Sequence, residues 1–139
     1  MESPFENFEK IFTKRLNEHN EFYNDLIPEQ LTKPHKDLVR TAMGGLLWTK
    51  QFYYLDVYKW LHGDKGEYPP ERDFKRNYEW QHLNNRNILS MPDKWEYPWY
   101  AAWDLAFHTT TFAHIDVEFA KRQLLLILKE YYLHPNGQI

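Results

Sequence analysis

A chain of 139 residues is the size of one compact domain, and its net charge of −3 argues against the basic surface that nucleic-acid-binding proteins carry. It contains no cysteine, which excludes disulfides, thiol catalysis and thiolate metal sites. Aromatic residues make up 18% of the chain although the mean hydropathy is only −0.78. That combination is typical of rings whose faces pack while their N–H and O–H groups reach water or a polar ligand.

Neither a leader nor a membrane span is predicted. Residues 1–6 lack the basic and then apolar pattern of a secretory signal peptide. The most apolar run, residues 124–128, is far shorter than the ~20 residues that a spanning helix needs. We therefore expect a soluble, cytoplasmic protein with neither a membrane nor nucleic acid as a partner.

Apolar spacing predicts two amphipathic helices in the first half of the chain. The first is expected over residues 5–26 and ends before Pro28. The second is expected from about residue 35 to residue 61, with Pro34 at its start. It contains the pair Gly44 and Gly45, which a close helix contact, a kink or an approaching substrate would each explain.

The second half of the chain is predicted to be irregular at first and then helical. Residues 63–97 read as a long irregular connection with at most a short helix around residues 77–83. Helix is expected again from Pro98 to about residue 113, and a last helix begins at the N-cap Asp116. Its apolar face would consist of Val117, Ala120, Leu124, Ile127, Leu128 and Tyr131. The predicted fold class is all-α, a single helical domain over residues 1–139 built of antiparallel helical hairpins.

Residues 91–108 carry the most informative chemistry. On a helix, Tyr100, Asp104 and His108 would share one stripe, beside a second stripe that bears Trp99 and Trp103. A carboxyl held against rings and away from water has its charged form disfavoured, which makes a proton donor at neutral pH. The alternative is that Asp104 is a solvated helix residue paired with His108.

Four segments together resemble glycoside hydrolase family 63, in the branch related to processing α-glucosidases. They are residues 43–54, 77–83, 91–108 and 134–138. The resemblance implies that the chain is the N-terminal portion of a barrel of six α-helical hairpins, which catalyses an inverting hydrolysis of α-glycosides. It also implies that Asp104 is the general acid. The walls of the sugar pocket would be Trp99, Tyr100 and Trp103, together with Trp95 and His108.

The second carboxylate of such a site has no counterpart here. Inverting glycosidases need two carboxyls about 6.5–9.5 Å apart, one to protonate the leaving oxygen and one to activate water. The family takes its base from a glutamate much further along the chain, so we expect this chain to be incomplete or inactive alone. Asp93, Glu96 and Asp116 are internal candidates that the sequence does not place opposite Asp104.

Two alternatives to catalysis remain at this level. The chain is either a non-catalytic carbohydrate-binding domain or a subunit-interaction domain that associates, with itself or a completing chain, through bare barrel faces. Its seven histidines are scattered without the spacing of a metal site, so neither a metal nor a cofactor is predicted. Candidates for hydrogen bonds to sugar hydroxyls, or else for a solvated loop, are Arg72, Asp73, Arg76 and Asn77.

Overall fold

The computed structural model describes residues 5–64, 78–129 and 132–139. Its elements in chain order are α1 (Phe8–Leu26), α2 (Lys33–Leu47), β1 (Lys50–Asp56), α3 (Val57–His62), β2 (Asn84–Ser90), α4 (Ala102–Phe112) and α5 (Val117–Ile127). The predictions for Arg72, Asp73, Arg76, Asn77 and Tyr131 lie outside the described residues.

The fold is mixed α/β, so the all-α prediction, with its antiparallel hairpins forming part of a six-hairpin barrel, is wrong. Strands β1 and β2 pair antiparallel, with Lys50 opposite Ser90 and Asp56 opposite Asn84. The sheet replaces the middle of the helix expected over residues 35–61, and part of the segment expected to be irregular.

Both strands escaped prediction for physical reasons. Strand β1 carries the run Phe52, Tyr53 and Tyr54. These aromatic residues are compatible with the helical spacing of the preceding residues, but aromatic side chains favour the pleated surface of a sheet. Strand β2 places Asn85 and Asn87 on the inner face of the sheet, where an apolar alternation would have signalled a strand. In both strands, pairing with a distant segment therefore overrides the local sequence pattern.

The chain divides into two compact units, Met1–Gly45 and Leu46–Ile139. In the first unit, α1 begins three residues later than predicted and ends before Pro28 as predicted. Tyr23 is its buried residue, and the Arg40 guanidinium lies 5.1 Å from the Tyr23 ring. A Cβ atom on Gly44 would lie 3.5 Å from the Tyr23 hydroxyl, an ordinary van der Waals distance, so α1 and α2 are in contact here but the contact does not require a glycine. The single domain expected over residues 1–139 stays a prediction.

The second unit contains the main core. Its buried apolar residues are Val57, Leu61, Leu83, Leu89, Leu105, Leu126, Ile127 and Tyr132. Asp116 is the N-cap of α5, as predicted, and accepts the Phe119 N–H at 2.9 Å. The predicted apolar face of α5 is only partly right, because Ala120 and Ile127 are buried whereas Leu124 and Leu128 are exposed. None of the helices in the described part has the length and apolarity that a membrane crossing requires.

Candidate functional site

A cleft of about 350 Å³ in the second unit brings most of the predicted site residues together. It lies between the end of β2, the turn that follows it and the first half of α4. Its lining consists of Leu89, Ser90, Met91, Pro92, Asp93, Tyr97, Trp99, Tyr100, Ala101, Asp104, Leu105 and His108. This volume falls within the ~300–1,000 Å³ typical of small-molecule sites.

The turn after β2 forms one wall of the cleft. The Asp93 side chain accepts the Glu96 N–H at 3.2 Å, and the Tyr97 N–H donates to the Asp93 carbonyl at 2.9 Å. These bonds give the turn a fixed course towards α4. The rings of Tyr97 and Trp99 then meet edge to face, with centroids 5.2 Å apart, and both rings line the cleft.

Asp104 lies in the first turn of α4 and lines the cleft. Helix α4 begins at Ala102, four residues later than predicted, because residues 97–101 run as an irregular approach to it. The carboxyl is exposed, so the expected shielding of Asp104 from water is not present in this chain. Asp104 is therefore a solvent-exposed helix residue, as the alternative predicted, but no ion pair joins it to His108 in the described structure.

His108 follows one helical turn after Asp104 and lines the same cleft. Its Nδ1 atom is buried and has no hydrogen-bond partner among the described residues. Buried polar atoms are nearly always satisfied, by protein, water or a ligand. The His108 ring therefore offers an unused hydrogen-bonding nitrogen beside the cleft.

Tyr100 forms a half-buried wall of the cleft and packs against strand β1. Its ring stacks on Tyr53 with the centroids 6.3 Å apart, and it lies 6.5 Å from the ring of Tyr132. Burial raises the pKa of the Tyr53 hydroxyl, and the Tyr100 backbone N–H, which donates to that oxygen, partly opposes the rise. Tyr100 is thus fixed through both its backbone and its ring.

Two of the predicted sugar-contacting rings do not line the cleft. Trp95 is 84% exposed, and the ammonium of Lys94 lies 5.3 Å from its ring. Trp103 is 76% exposed and packs edge to face on Phe107, on the neighbouring stripe of α4. Their assignment as sugar contacts stays a prediction.

Of the three internal candidates for a second carboxylate, Asp93 alone lines the same cleft as Asp104. Glu96 is exposed on the turn and contributes its backbone N–H to Asp93. Asp116 instead binds Lys50, at 2.7 Å, while capping α5. The hydrogen bond from Lys50 lowers the pKa of Asp116, with a smaller contribution from the Phe119 N–H.

The lining determines which ligands the cleft can take. Among the described residues that form it there are two carboxylates and a histidine but neither lysine nor arginine. Such a surface disfavours an anionic ligand and suits a neutral, hydroxylated molecule with apolar faces for the rings. No group of three or more metal-ligating side chains lies together in the described part of the chain.

Ser90, Leu89 and Tyr97 are lining residues that the sequence did not single out as contacts. Ser90 and Leu89 belong to β2, a strand that the sequence did not predict. Tyr97 lies inside the segment 91–108, two residues from both Trp95 and Trp99. Those two tryptophans are predicted as sugar contacts, whereas Tyr97 is not. A strand prediction for residues 84–90 was the signal that would have placed the first two.

Comparison with known proteins gives one informative relative. The chain is 50% identical over 135 residues to "Uncharacterized protein YMR196W" of Saccharomyces cerevisiae. The match covers 95% of this chain and 12% of the yeast protein, so the chain spans about an eighth of the length of that relative. No protein-family model matches the chain. No solved structure matches it either.

Proposed function

We propose that the cleft binds an α-glycoside and that Asp104 is the general acid of its inverting hydrolysis, as the resemblance to glycoside hydrolase family 63 implies. The observation that carries the proposal is that Asp104, Trp99, Tyr100 and His108 line one cleft. The sequence alone predicts the same four as site residues. The proposed setting is carbohydrate metabolism in the cytoplasm.

The cleft has the composition expected of a sugar site. Rings such as Trp99 and Tyr97 can pack on the apolar faces of a pyranose, while polar groups take its hydroxyls. Asp104 is one polar residue of the lining that could do so. Because the lining holds no lysine or arginine among its described residues, the proposed substrate is a neutral glycoside.

The proposed reaction transfers one proton from Asp104. Water attacks the anomeric carbon, the glycosidic C–O bond breaks, and its electron pair stays on the leaving oxygen, which takes the Asp104 proton. Water loses its proton to a second carboxylate. Since Asp104 is exposed, the proposal requires the bound sugar to displace the water around the carboxyl.

The proposal places the base outside this chain. One oxygen of Asp93 already accepts the Glu96 N–H, so we assign Asp93 to fixing the turn. The chain alone would then bind the sugar but hydrolyse it slowly or not at all. The yeast relative supports this proposal, because the matching segment makes up 12% of a longer protein.

Sugar binding is tested by titrating kojibiose, nigerose, maltose and isomaltose into the chain while tryptophan fluorescence is recorded. We expect a saturable change with at least one disaccharide, and a binding constant weakened about tenfold or more in Trp99→Ala, since one stacked ring is removed. Trp60→Ala is the matched control, because Trp60 is similarly exposed but lies outside the cleft. Flat titrations with all four sugars would contradict the proposal.

A second candidate function, subunit interaction, is favoured by the exposed apolar surface of the second unit. Phe52 and Ile88 are cross-strand partners on the outer face of the sheet, 68% and 54% exposed, and Trp48 is 85% exposed. Exposed apolar patches of this kind mark association sites. Light scattering tests it: a concentration-dependent mass, reduced by Phe52→Lys, is expected, and a monodisperse monomer would contradict it.

A further inference from the structure

Tyr100 is held in place by the inner face of the sheet. Strand β1 supplies Tyr53, whose hydroxyl accepts the Tyr100 backbone N–H and whose ring stacks on the Tyr100 ring. Directly opposite Tyr53, on β2, stands Asn87. The residues that fix Tyr100 thus come from both strands.

Asn87 connects Tyr53 and Tyr100 to the segment that follows α5. Its side-chain amide donates to the hydroxyl of Tyr132 and, at 2.9 Å, to the Oδ1 atom of Asn85. The Tyr132 ring, only 4% exposed, lies beside the ring of Tyr100. Tyr53, Asn87, Tyr132 and Tyr100 therefore form one partly buried group, the tyrosine–asparagine cluster.

The cluster adjoins a buried polar residue, Asn85, which accepts a hydrogen bond from Asn87. Asn85 is fully buried, yet its Nδ2 atom has no hydrogen-bond partner among the described residues. An apolar residue there would avoid the desolvation penalty of an unsatisfied amide. Polar groups fix one geometry more strictly than apolar packing does, because their hydrogen bonds are directional. The cluster sits directly behind the wall of the cleft, where a fixed geometry matters most.

We propose that Asn87 and Tyr132 are positioning residues that hold Tyr100 for sugar binding. This inference rests on the proposed function, because it concerns the wall of the same cleft. The Tyr132 hydroxyl binds Asn87, Asn87 fixes the Tyr132 ring against Tyr100, and Tyr100 meets the sugar. Neither Asn87 nor Tyr132 lines the cleft, so both act through Tyr100.

A double-mutant cycle between Tyr132→Phe and Tyr100→Ala tests the inference. The probe is whichever of kojibiose, nigerose, maltose and isomaltose saturates the unaltered chain. We expect Tyr132→Phe to weaken its binding constant about threefold to tenfold, the size expected of one lost hydrogen bond, with the number of binding sites unchanged. In the Tyr100→Ala background the same change should have no further effect, because the residue it acts through is absent.

A purely structural role would give a different result. Tyr132→Phe would then lower the number of folded, sugar-binding molecules without changing the binding constant, or would have an equal effect in both backgrounds. Either result would overturn the inference and leave the proposed function standing. If the unaltered chain binds none of the four sugars, the proposed function fails and the inference falls with it.

Two further variants complete the test. Tyr58→Phe removes a hydroxyl from an exposed tyrosine on α3, outside the cluster, and should bind the sugar like the unaltered chain. Should Tyr132→Phe not fold, Asn87→Ser is carried through the same cycle, since it removes the amide but keeps a small polar group. A binding constant unchanged in Asn87→Ser would again overturn the inference.

Discussion

Asp116 shows how one side chain links two distant parts of the second unit. Its Oδ1 atom caps α5, and its Oδ2 atom receives the Lys50 ammonium from the start of β1 at 2.7 Å. That ammonium also lies 4.3 Å from the Phe119 ring and 5.6 Å from the Phe112 ring. A helix terminus and a strand terminus are therefore joined by one charged contact.

Removing this charge should make stability less sensitive to acid. The pKa of Asp116 is lowered on folding, so its contribution is complete above its ordinary value of 3.8 and is lost as the pH falls through the lower folded value. Because the side chain is 37% exposed, we expect Asp116→Asn to lower the free energy of unfolding at pH 7 by only about 0.5–1 kcal/mol. Urea unfolding at pH 7 and pH 3 measures this difference, which should shrink at pH 3.

Glu118→Gln is the matched control for Asp116→Asn. Glu118 is a carboxylate two residues further along the chain, but its side chain is 68% exposed and pairs with Lys121 on the surface of α5. Its replacement should change the free energy of unfolding by no more than about 0.5 kcal/mol at either pH. An Asp116→Asn difference that stays constant from pH 7 to pH 3 would show that the charge contributes nothing.

At the scale of elements, strand β2 explains why two neighbouring residues differ in solvent exposure. Leu89 is 2% exposed and belongs to the core, whereas Ile88 is 54% exposed on the other face of the sheet. Alternation of this kind arises because successive side chains of a strand point to opposite faces. The alternation extends over several steps, because the buried Asn85 stands between the exposed Asn84 and Arg86.

Truncating these two neighbours tests which of them packs on the core. Leu89→Ala creates a cavity in the core and should lower the free energy of unfolding by about 2–5 kcal/mol. Ile88→Ala removes a largely exposed side chain and should lower it by about 0.5 kcal/mol or less. Chemical denaturation monitored by circular dichroism gives both values, and equal losses for the two variants would refute the placement of Leu89 on the inner face of the sheet.

The elements that the sequence predicted well are those with local signals. Helix α1 has a long apolar period closed by Pro28, and α5 has the N-cap Asp116. The sheet could not be found in this way, because Asn85 and Asn87 are polar residues at inner positions whose partners are distant in the chain. The tyrosine–asparagine cluster was missed for the same reason, since it exists only once the strands pair.

At the scale of the whole molecule, described residues of the four segments singled out in the sequence meet in two pairs within the second unit. The rings of Tyr53 and Tyr100 stack, and Trp80 lies edge to face with His134, 5.4 Å between centroids. His82 donates to the Leu133 carbonyl at 2.9 Å, next to the last segment. The sequence could therefore select the residues of the candidate site. It could not show that Trp95 and Trp103 stay outside the cleft, because the course of residues 97–101 depends on packing against the sheet.

The central claim, that Asp104 donates the proton, predicts a dependence on the leaving group. Added azide can replace the water and base by attacking the anomeric carbon directly, so that the acid is isolated. With phenyl α-glucoside, whose phenolate leaves poorly without a proton, Asp104→Asn should slow azide-dependent cleavage about 100-fold or more. With α-glucosyl fluoride, whose fluoride needs less protonation, the loss should be much smaller.

The measurement is the release of phenol and of fluoride by the unaltered chain, by Asp104→Asn and by Asp93→Asn. Asp93 is the matched control, since it lines the same cleft but is assigned to the turn. We expect a large, leaving-group-dependent loss for Asp104→Asn and rates near those of the unaltered chain for Asp93→Asn. No azide-dependent release by the unaltered chain, or equal rates for it and Asp104→Asn with phenyl α-glucoside, would contradict the account.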